Sequence, residues 1–365
     1  MEFIDLRKQQ KLIKNKLNQR IDSIMRRGQY IMGPEISELE QKLSKFVGIS
    51  HCSLVASGTD ALLLALMALG IKKGDEVITP TYSWISSAST IALLGAIPIF
   101  VDIDRRTFNI DPKQVKKNIN KKTKAIIAVS LFGQCAEIKK INKIASEHKL
   151  PVIEDAAQSF GATHYGNKSC SMTTIACTSF FPSKPLGCYG DGGACFTNND
   201  FLADRINQLR VHGQKGRNNF VTIGHNSRMD TLQAGILIEK FNLFKNEINL
   251  RQKVANLYSK QLSNISDNIK TPHIEVYNKS VFAQYTVKVS NRSSLLKLFN
   301  KAKIPVVCYY TKPFHKLEIF NKKSSSLKVS EKIISQVLSL PMSPYLSKKE
   351  VNKVVGIFKE NTDGK

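Results

Sequence analysis

The chain has 365 residues and a mass of 40.8 kDa, with 42% hydrophobic and 23% charged residues. That composition supports a sizeable core and excludes wholesale disorder, and the length suits one large domain with a smaller one. Net charge is +25, but the 42 lysines are scattered rather than clustered with arginine and aromatic residues. The reading is a solvated lysine-rich surface that favours anions, with no nucleic-acid interface.

The longest apolar stretches, such as Ala61–Leu69, are far shorter than the ~20 residues a bilayer span needs. The start, Met1-Glu2-Phe3-Ile4-Asp5-Leu6, lacks the pattern of a signal peptide, so a cytoplasmic protein without membrane association is expected. There are seven cysteines, four of them between 170 and 195, and none forms a Cys-x-x-Cys pair. Reduced, buried thiols are expected, and no metal site.

Residues 1–30 have a helical rhythm through Leu12, Ile13, Leu17, Ile21, Ile24 and Met25, and Ser37–Val47 reads as a second short amphipathic helix. From about 50 to 200, short apolar runs alternate with helical segments. The predicted strands are Cys52–Ala56, Glu76–Thr79, Ile97–Asp102, Ala125–Leu131, Pro151–Glu154, Cys177–Phe181 and Ala194–Thr197. Several are near-continuous Val, Ile and Phe, as in strands buried on both faces. The intervening helices are Asp60–Leu69, Ile85–Leu94, Pro112–Ile119 and Glu137–His148. This is the alternation of an α/β fold with a mostly parallel sheet. Beyond 226 the pattern changes. Met229–Leu262 reads as a long helix with a break near Asn246, Val281–Val289 as an antiparallel strand and Ser293–Ala302 as a helix. Ile304–Tyr309 reads as another strand, and Glu331–Phe358 as a basic helix. The domains are therefore expected at 1–240, with a helical arm at 1–30, and at 241–365 as a smaller α+β unit.

Lysine is conspicuous by its scarcity in one window. Between Ser169 and Gln214 the chain has a single lysine, Lys184, where about five would fall at its average. Apolar surroundings lower a lysine pKa and make the amine a competent nucleophile for a Schiff base; an ordinary surface-loop lysine is the other reading. Ile153-Glu154-Asp155 ends an apolar strand in a carboxylate. Buried there, Asp155 needs a partner: a protonated pyridine nitrogen, a helix terminus or a salt bridge. Ala56-Ser57-Gly58-Thr59-Asp60 precedes an apolar helix. Its free backbone N–H groups suit a phosphate, and Ser57-x-x-Asp60 is equally a capping box. Trp84, the only tryptophan, follows a predicted strand, where an aromatic ring stacks on a flat ligand or joins the core. Gly187, Gly190, Gly192 and Gly193 crowd the stretch after Lys184. A phosphate anchor, a ring stacker, a carboxylate and a lysine, in that chain order, are the inventory for pyridoxal 5′-phosphate.

With these motifs the sequence resembles the DegT/DnrJ/EryC1/StrS sugar aminotransferases. The resemblance runs from Phe3-Ile4-Asp5-Leu6 and Tyr30-Ile31-Met32-Gly33-Pro34 through Ser57-Gly58-Thr59-Asp60-Ala61-Leu62 and Glu154-Asp155-Ala156-Ala157-Gln158-Ser159. It continues through Ser179-Phe180 to Gly192-Gly193, Gly224-His225-Asn226-Ser227-Arg228-Met229-Asp230 and Tyr309-Tyr310. It implies the fold of aspartate aminotransferase (fold type I), with a mostly parallel seven-stranded sheet and a smaller α+β domain. It implies that Lys184 binds the cofactor aldehyde, that Asp155 pairs with the ring nitrogen and that Gln158 approaches the ring hydroxyl. Trp84 is implied to stack on the ring, and Gly58, Thr59 and Ser179 to hold the phosphate. Asn226 is implied to reach the phosphate of the neighbouring subunit's cofactor in a homodimer, while Arg228, Tyr309 and Tyr310 line a nucleotide-sugar site. The stretch Phe180–Ala194 is most similar to enzymes that aminate UDP-2-acetamido-2-deoxy-3-oxo-glucuronate with glutamate, giving 2-oxoglutarate, for O-antigen and lipopolysaccharide synthesis. Amination at C4 of a 4-keto-6-deoxy UDP- or dTDP-sugar is the alternative. Ser130 departs from a histidine common in the family, and Lys184 argues against the branch that replaces this lysine by histidine and dehydrates sugars.

Overall fold

The computed structural model describes residues 1–320 and 326–363. Residues 321–325 and 364–365 of the expected 241–365 unit lie outside the described residues. In chain order, α1 (Arg7–Arg27) and α2 (Pro34–Val47) precede β1 (His51–Val55), α3 (Gly58–Ala68), β2 (Glu76–Pro80), α4 (Ser86–Leu93) and β3 (Ile97–Val101). Then come α5 (Pro112–Asn118), β4 (Thr123–Val129), α6 (Ile138–Glu147) and β5 (Val152–Asp155). A small hairpin, β6 (Thr163–His164) and β7 (Asn167–Lys168), leads to β8 (Ile175–Ser179), β9 (Gly193–Thr197) and α7 (Asp200–Leu209). The remainder is α8 (Thr231–Leu262), β10 (Ile269–Lys270), β11 (Asn278–Lys279), β12 (Tyr285–Val289), α9 (Arg292–Lys301), α10 (Lys328–Ile333), β13 (Val337–Leu340) and α11 (Lys348–Asp363).

Seven strands form the central sheet in the order β1-β9-β8-β5-β4-β2-β3. β9 is antiparallel to both its neighbours, and the other six strands run parallel. Alternate side chains enter cores on opposite faces, as a two-residue repeat requires. Val55, Ile127, Ile153, Cys177 and Cys195 pack with Leu62 and Leu66 of α3 and Ile206 of α7. Leu54, Ala176 and Phe196 pack on the other face with Leu39 and Leu43 of α2 and Leu237 and Phe244 of α8. A three-stranded sheet, β10-β12-β13, has its own core with α8, α9 and α11, built on Tyr258, Val287, Phe299, Leu338 and Phe358. All seven cysteines are free thiols, five of them buried. No helix among the described residues is long and apolar enough to cross a membrane.

The expected strands and helices between 50 and 200 form within two residues of the predicted bounds, and α2 starts a turn early because Pro34 supplies its first position. Three expectations fail. α8 is unbroken through Asn246. Ile304–Tyr309 is not a strand: Val307 makes one bridge to Ser339, and the backbone is then diverted to Tyr82, whose hydroxyl donates to the Tyr309 carbonyl and accepts from Tyr310 N–H. Glu331–Phe358 is not one helix. Val337–Leu340 joins β12 in antiparallel register, and Pro341 and Pro344 prevent helical continuation until Lys348. Only Tyr285–Val289 of the predicted 281–289 strand forms, since Val281 N–H instead donates to Gly133 O at 2.8 Å. α7 carried no prediction; Asn199 caps it, accepting from Leu202 N–H at 3.0 Å.

Gly133 is the tightest joint between the loop after β4 and the segment that leads into β12. Its φ is +108°, and an added Cβ would sit 2.6 Å from Phe282 N and 2.7 Å from Ala283 N. Backbone atoms cannot retreat as a flexible side chain can. Gly133→Ala is expected to destabilise the fold by about 3 kcal/mol, read from the urea unfolding midpoint; an unchanged midpoint contradicts this account.

Candidate active site

Six parallel strands deliver their carboxyl ends to one edge of the sheet, where open α/β folds bind ligands. Asp155 ends β5 and Ser179 ends the adjacent β8, with Lys184 five residues further on. Gly58 and Thr59 open α3 just after β1. Trp84 follows β2. The residues most relevant to the chemistry are thus brought together by topology, although they are spread over more than 120 positions.

Asp155 is buried, and Ala157 N–H donates to its Oδ1 at 3.1 Å. Burial pushes its carboxyl pKa up, while that hydrogen bond and the attraction of Lys184 pull it down. Burial lowers the Lys184 pKa, and Asp155 opposes the shift. Among the described residues the two form no direct ion pair, so each acts on the other through space. A desolvated amine keeps its lone pair to lower pH than an ordinary lysine. A buried carboxylate with one backbone donor has acceptor capacity left for a cationic ring nitrogen.

The start of α3 is an anion cradle. Ser57 caps the helix, accepting from Asp60 N–H at 3.0 Å. Among the described residues the N–H groups of Gly58 and Thr59 have no hydrogen-bond partner. A Cβ on Gly58 would lie 2.6 Å from the Ser179 Cβ, so only glycine lets the helix start meet the end of β8. Capping and anion binding therefore coexist. Thr59 Oγ1 is 2.7 Å from Ser86 Oγ, and Ser179 Oγ accepts from Phe181 N–H at 3.2 Å. Free N–H groups on a helix dipole, a desolvated lysine and an under-satisfied carboxylate fit pyridoxal 5′-phosphate in charge and chemistry.

Gln158 is buried. Its Oε1 accepts from Phe132 N–H at 2.7 Å, which aims Nε2 at Tyr310 Oη, 3.1 Å away. Trp84 is 58% exposed, with its ring 6.3 Å from that of Tyr310. Gln158 and Trp84 thus both adjoin Tyr310, Asp155 acts on its hydroxyl through space, and Tyr309 packs beside it. Asn226 is exposed, and among the described residues its side chain makes no hydrogen bond or ion pair with the other predicted site residues. Arg228 is half-buried, and its Nε is buried without a partner. Both lie on a segment tied to the end of β1, Ala56 N–H donating to Ser227 O at 2.9 Å.

Sequence reasoning missed the groups that aim these side chains. Tyr82 and the Phe132 N–H position Tyr309, Tyr310 and Gln158; the Tyr82 contacts span more than 220 residues and the Phe132 contact is made by a backbone group, so neither leaves a local signal. Glu154, facing away from Asp155, is held by Ser130 Oγ and Ser169 Oγ, each at 2.8 Å, and by Cys170 N–H at 2.8 Å. Burial still pushes its carboxyl up. In cofactor-free protein, acetylation of Lys184 followed by mass spectrometry is expected to titrate below the ordinary lysine value. Asp155→Asn should lower it further, because the carboxylate favours the ammonium; an upward move contradicts this electrostatic account.

A profile described as the DegT/DnrJ/EryC1/StrS aminotransferase family matches residues 11–359. The UDP-2-acetamido-2-deoxy-3-oxo-D-glucuronate aminotransferase of Pseudomonas aeruginosa is 53% identical over 346 residues, covering 95% of this chain and 96% of that protein. A pleiotropic regulatory protein of Geobacillus stearothermophilus is 39% identical over 97% of this chain and 96% of its own. Among solved structures, a DegT DnrJ EryC1 StrS aminotransferase from Brucella abortus has a TM-score of 0.96 at 39% identity, covering 100% of both chains. NtdA from Bacillus subtilis, with bound cofactor PMP, has a TM-score of 0.90 at 30% identity, covering 98% of this chain and 82% of that one. With the family profile spanning almost the whole length and the same fold carrying the matched motifs to one sheet edge, the chain belongs to the DegT/DnrJ/EryC1/StrS aminotransferase family.

Proposed function

We propose that this aminotransferase moves an amino group from L-glutamate to C3 of UDP-2-acetamido-2-deoxy-3-oxo-glucuronate, releasing 2-oxoglutarate. The reading places it in the cytoplasm, as a homodimer, in the synthesis of a surface polysaccharide such as O-antigen. One observation carries the chemistry: Lys184, Asp155 and the free N–H groups of Gly58 and Thr59 converge on one edge of the sheet. The substrate rests on the 53% identity to the Pseudomonas enzyme.

When bound, pyridoxal 5′-phosphate supplies an electron-accepting ring and a carrier for the amine. The Gly58 and Thr59 N–H groups and the Ser179 hydroxyl hold its phosphate. Asp155 keeps the ring nitrogen protonated, and Gln158 approaches the ring hydroxyl through Nε2. Trp84 stacks on the ring face. The Lys184 amine would hold the aldehyde carbon and, when free, would take the proton from the donor α-carbon as base and hand it on as acid. Arg228, with an unpartnered Nε, pairs with an anionic group of the substrate, and Tyr309 and Tyr310 line the sugar side.

The dimer is supported by exposed apolar residues. Tyr30, Ile31, Met32, Phe220, Val221 and Ile223 flank the segment bearing Asn226, and Ile31 is bridged to Asp230. Solvated singly they need no explanation; on both sides of one segment they support an interface there. Asn226 then reaches the phosphate in the partner's site.

Incubation with glutamate and a panel of keto nucleotide sugars, read by mass spectrometry, is expected to aminate the 3-keto uronic acid. Amination of 4-keto-6-deoxy sugars alone would replace this substrate. Lys184→Ala should lose turnover and the visible band of the loaded protein, and initial-rate lines for the native enzyme should be parallel, as a two-stage transfer requires. Mixing inactive Lys184→Ala with inactive Asn226→Ala should restore activity, since a mixed dimer has one intact site; no recovery despite subunit exchange would remove the shared site.

A further inference from the structure

The loop after β2, which carries Trp84, also holds residues 309–315 at two adjacent points. Tyr82 takes the near end, its hydroxyl donating to Tyr309 O and accepting from Tyr310 N–H. Thr81 takes the far end. Its carbonyl accepts from Phe314 N–H at 2.8 Å, and its Oγ1 accepts from His315 N–H at 3.3 Å. The same Oγ1 lies 2.7 Å from His315 Nδ1. That order of donors assigns the hydroxyl proton to Nδ1 and the ring proton to Nε2. Nε2 then donates to Glu331 Oε1 on α10, 2.9 Å away.

Both ends of this chain of bonds are anchored. The His315 ring and Lys316 hold the Glu331 carboxyl down to about 2, so it stays an acceptor. α10 is itself pinned just after β3, where Asp102 accepts from Val329 and Ser330 N–H. Thr81 and His315 are both fully buried. An apolar side chain could fill the same space without desolvating a ring; what the ring adds is direction. Between the two anchor points stands Tyr310. Its ring meets Tyr82 edge-on at 5.8 Å, lies 6.3 Å from Trp84, and carries the hydroxyl that Gln158 Nε2 reaches at 3.1 Å.

We infer that His315 is a positioning residue for Tyr310: its bond to Thr81 fixes the far end of the segment whose near end Tyr82 holds, and so keeps Tyr310 between Trp84 and Gln158. The inference rests on the reading that Tyr309 and Tyr310 line the sugar side. Without the ring, the far end keeps one backbone bond to Thr81, and the Tyr310 side chain gains freedom. The cost falls on the keto sugar, whose site these tyrosines line, and not on the amino donor.

Trp84 is the only tryptophan, so the protein's tryptophan fluorescence reports on this wall alone. In cofactor-free protein, Thr81→Val and His315→Gln are expected to raise acrylamide quenching of Trp84 by about 1.5-fold, as the ring beside it loosens. The Gln amide takes the place of Nε2, keeping Glu331 and losing Thr81. His315→Asn, whose amide takes the place of Nδ1, should keep native quenching. So should Phe299→Leu, which weakens the separate core of the C-terminal sheet. In the loaded enzyme, Thr81→Val and His315→Gln should raise the KM for the keto sugar about tenfold and leave the KM for glutamate near native. Native quenching in both variants, the same rise in His315→Asn or Phe299→Leu, or an unchanged sugar KM would overturn the inference. Should His315→Gln fail to fold, Thr81→Val carries the test, because it removes one hydroxyl with little change of shape. Failure of the native enzyme to aminate any keto sugar would instead refute the substrate reading, and the quenching result would stand apart from it.

Discussion

Asp155 and Lys184 occupy a region where burial and mutual attraction pull in opposite directions. Burial raises the acid and lowers the amine, so each tends toward neutrality; their attraction restores part of the charge. The carboxylate keeps acceptor capacity for a cation, and the amine keeps its lone pair to lower pH than an ordinary lysine does. Both conditions require low local dielectric without direct pairing, because a tight ion pair would fix the lysine as an ammonium. Neighbouring parallel strands β5 and β8 supply that spacing, with Asp155 at the end of one and Lys184 five residues past the end of the other.

The rest of the fold holds this pair dry and in register. The antiparallel insertion of β9 closes the sheet against β1, and α3 then starts beside the end of β8. Gly58 allows that contact, and the same contact leaves two backbone donors free for a phosphate. The C-terminal part brings Tyr309 and Tyr310 to the same edge through the Tyr82 hydroxyl. Asp102, at the end of β3, accepts from Val329 and Ser330 N–H at 2.8 and 2.9 Å, pinning α10 to that side. The proposed binding groups and the contacts that hold them thus share the sheet edge.

Much of the α/β part was legible because both of its signals are local. Strands such as Ala125–Ile126-Ile127-Ala128-Val129 are apolar on both faces, and helices such as Ile138–Glu147 repeat at helical spacing. The C-terminal part was less legible. Val337–Leu340 is short, sits between helices and is a strand only because β12 offers a partner edge. Ile304–Tyr309 has strand composition, yet its backbone groups are taken by Tyr82 and a single bridge. α7 begins on a capping Asn199 in a polar stretch whose apolar residues did not stand out.

Residue chemistry by itself determined which groups could take part: one lysine in a lysine-poor window, a strand-end carboxylate, a glycine at a helix start and one tryptophan. It also fixed the α/β alternation, since that follows from the spacing of apolar residues. Only the tertiary structure decided what each group meets. Gln158 is oriented by a backbone N–H at Phe132, Tyr310 by a hydroxyl more than 220 residues away, and His315 by Thr81 on the loop after β2. Electrostatic and hydrogen-bond effects depend on distance and burial in space, and neither is encoded in the order of residues along a local stretch of chain.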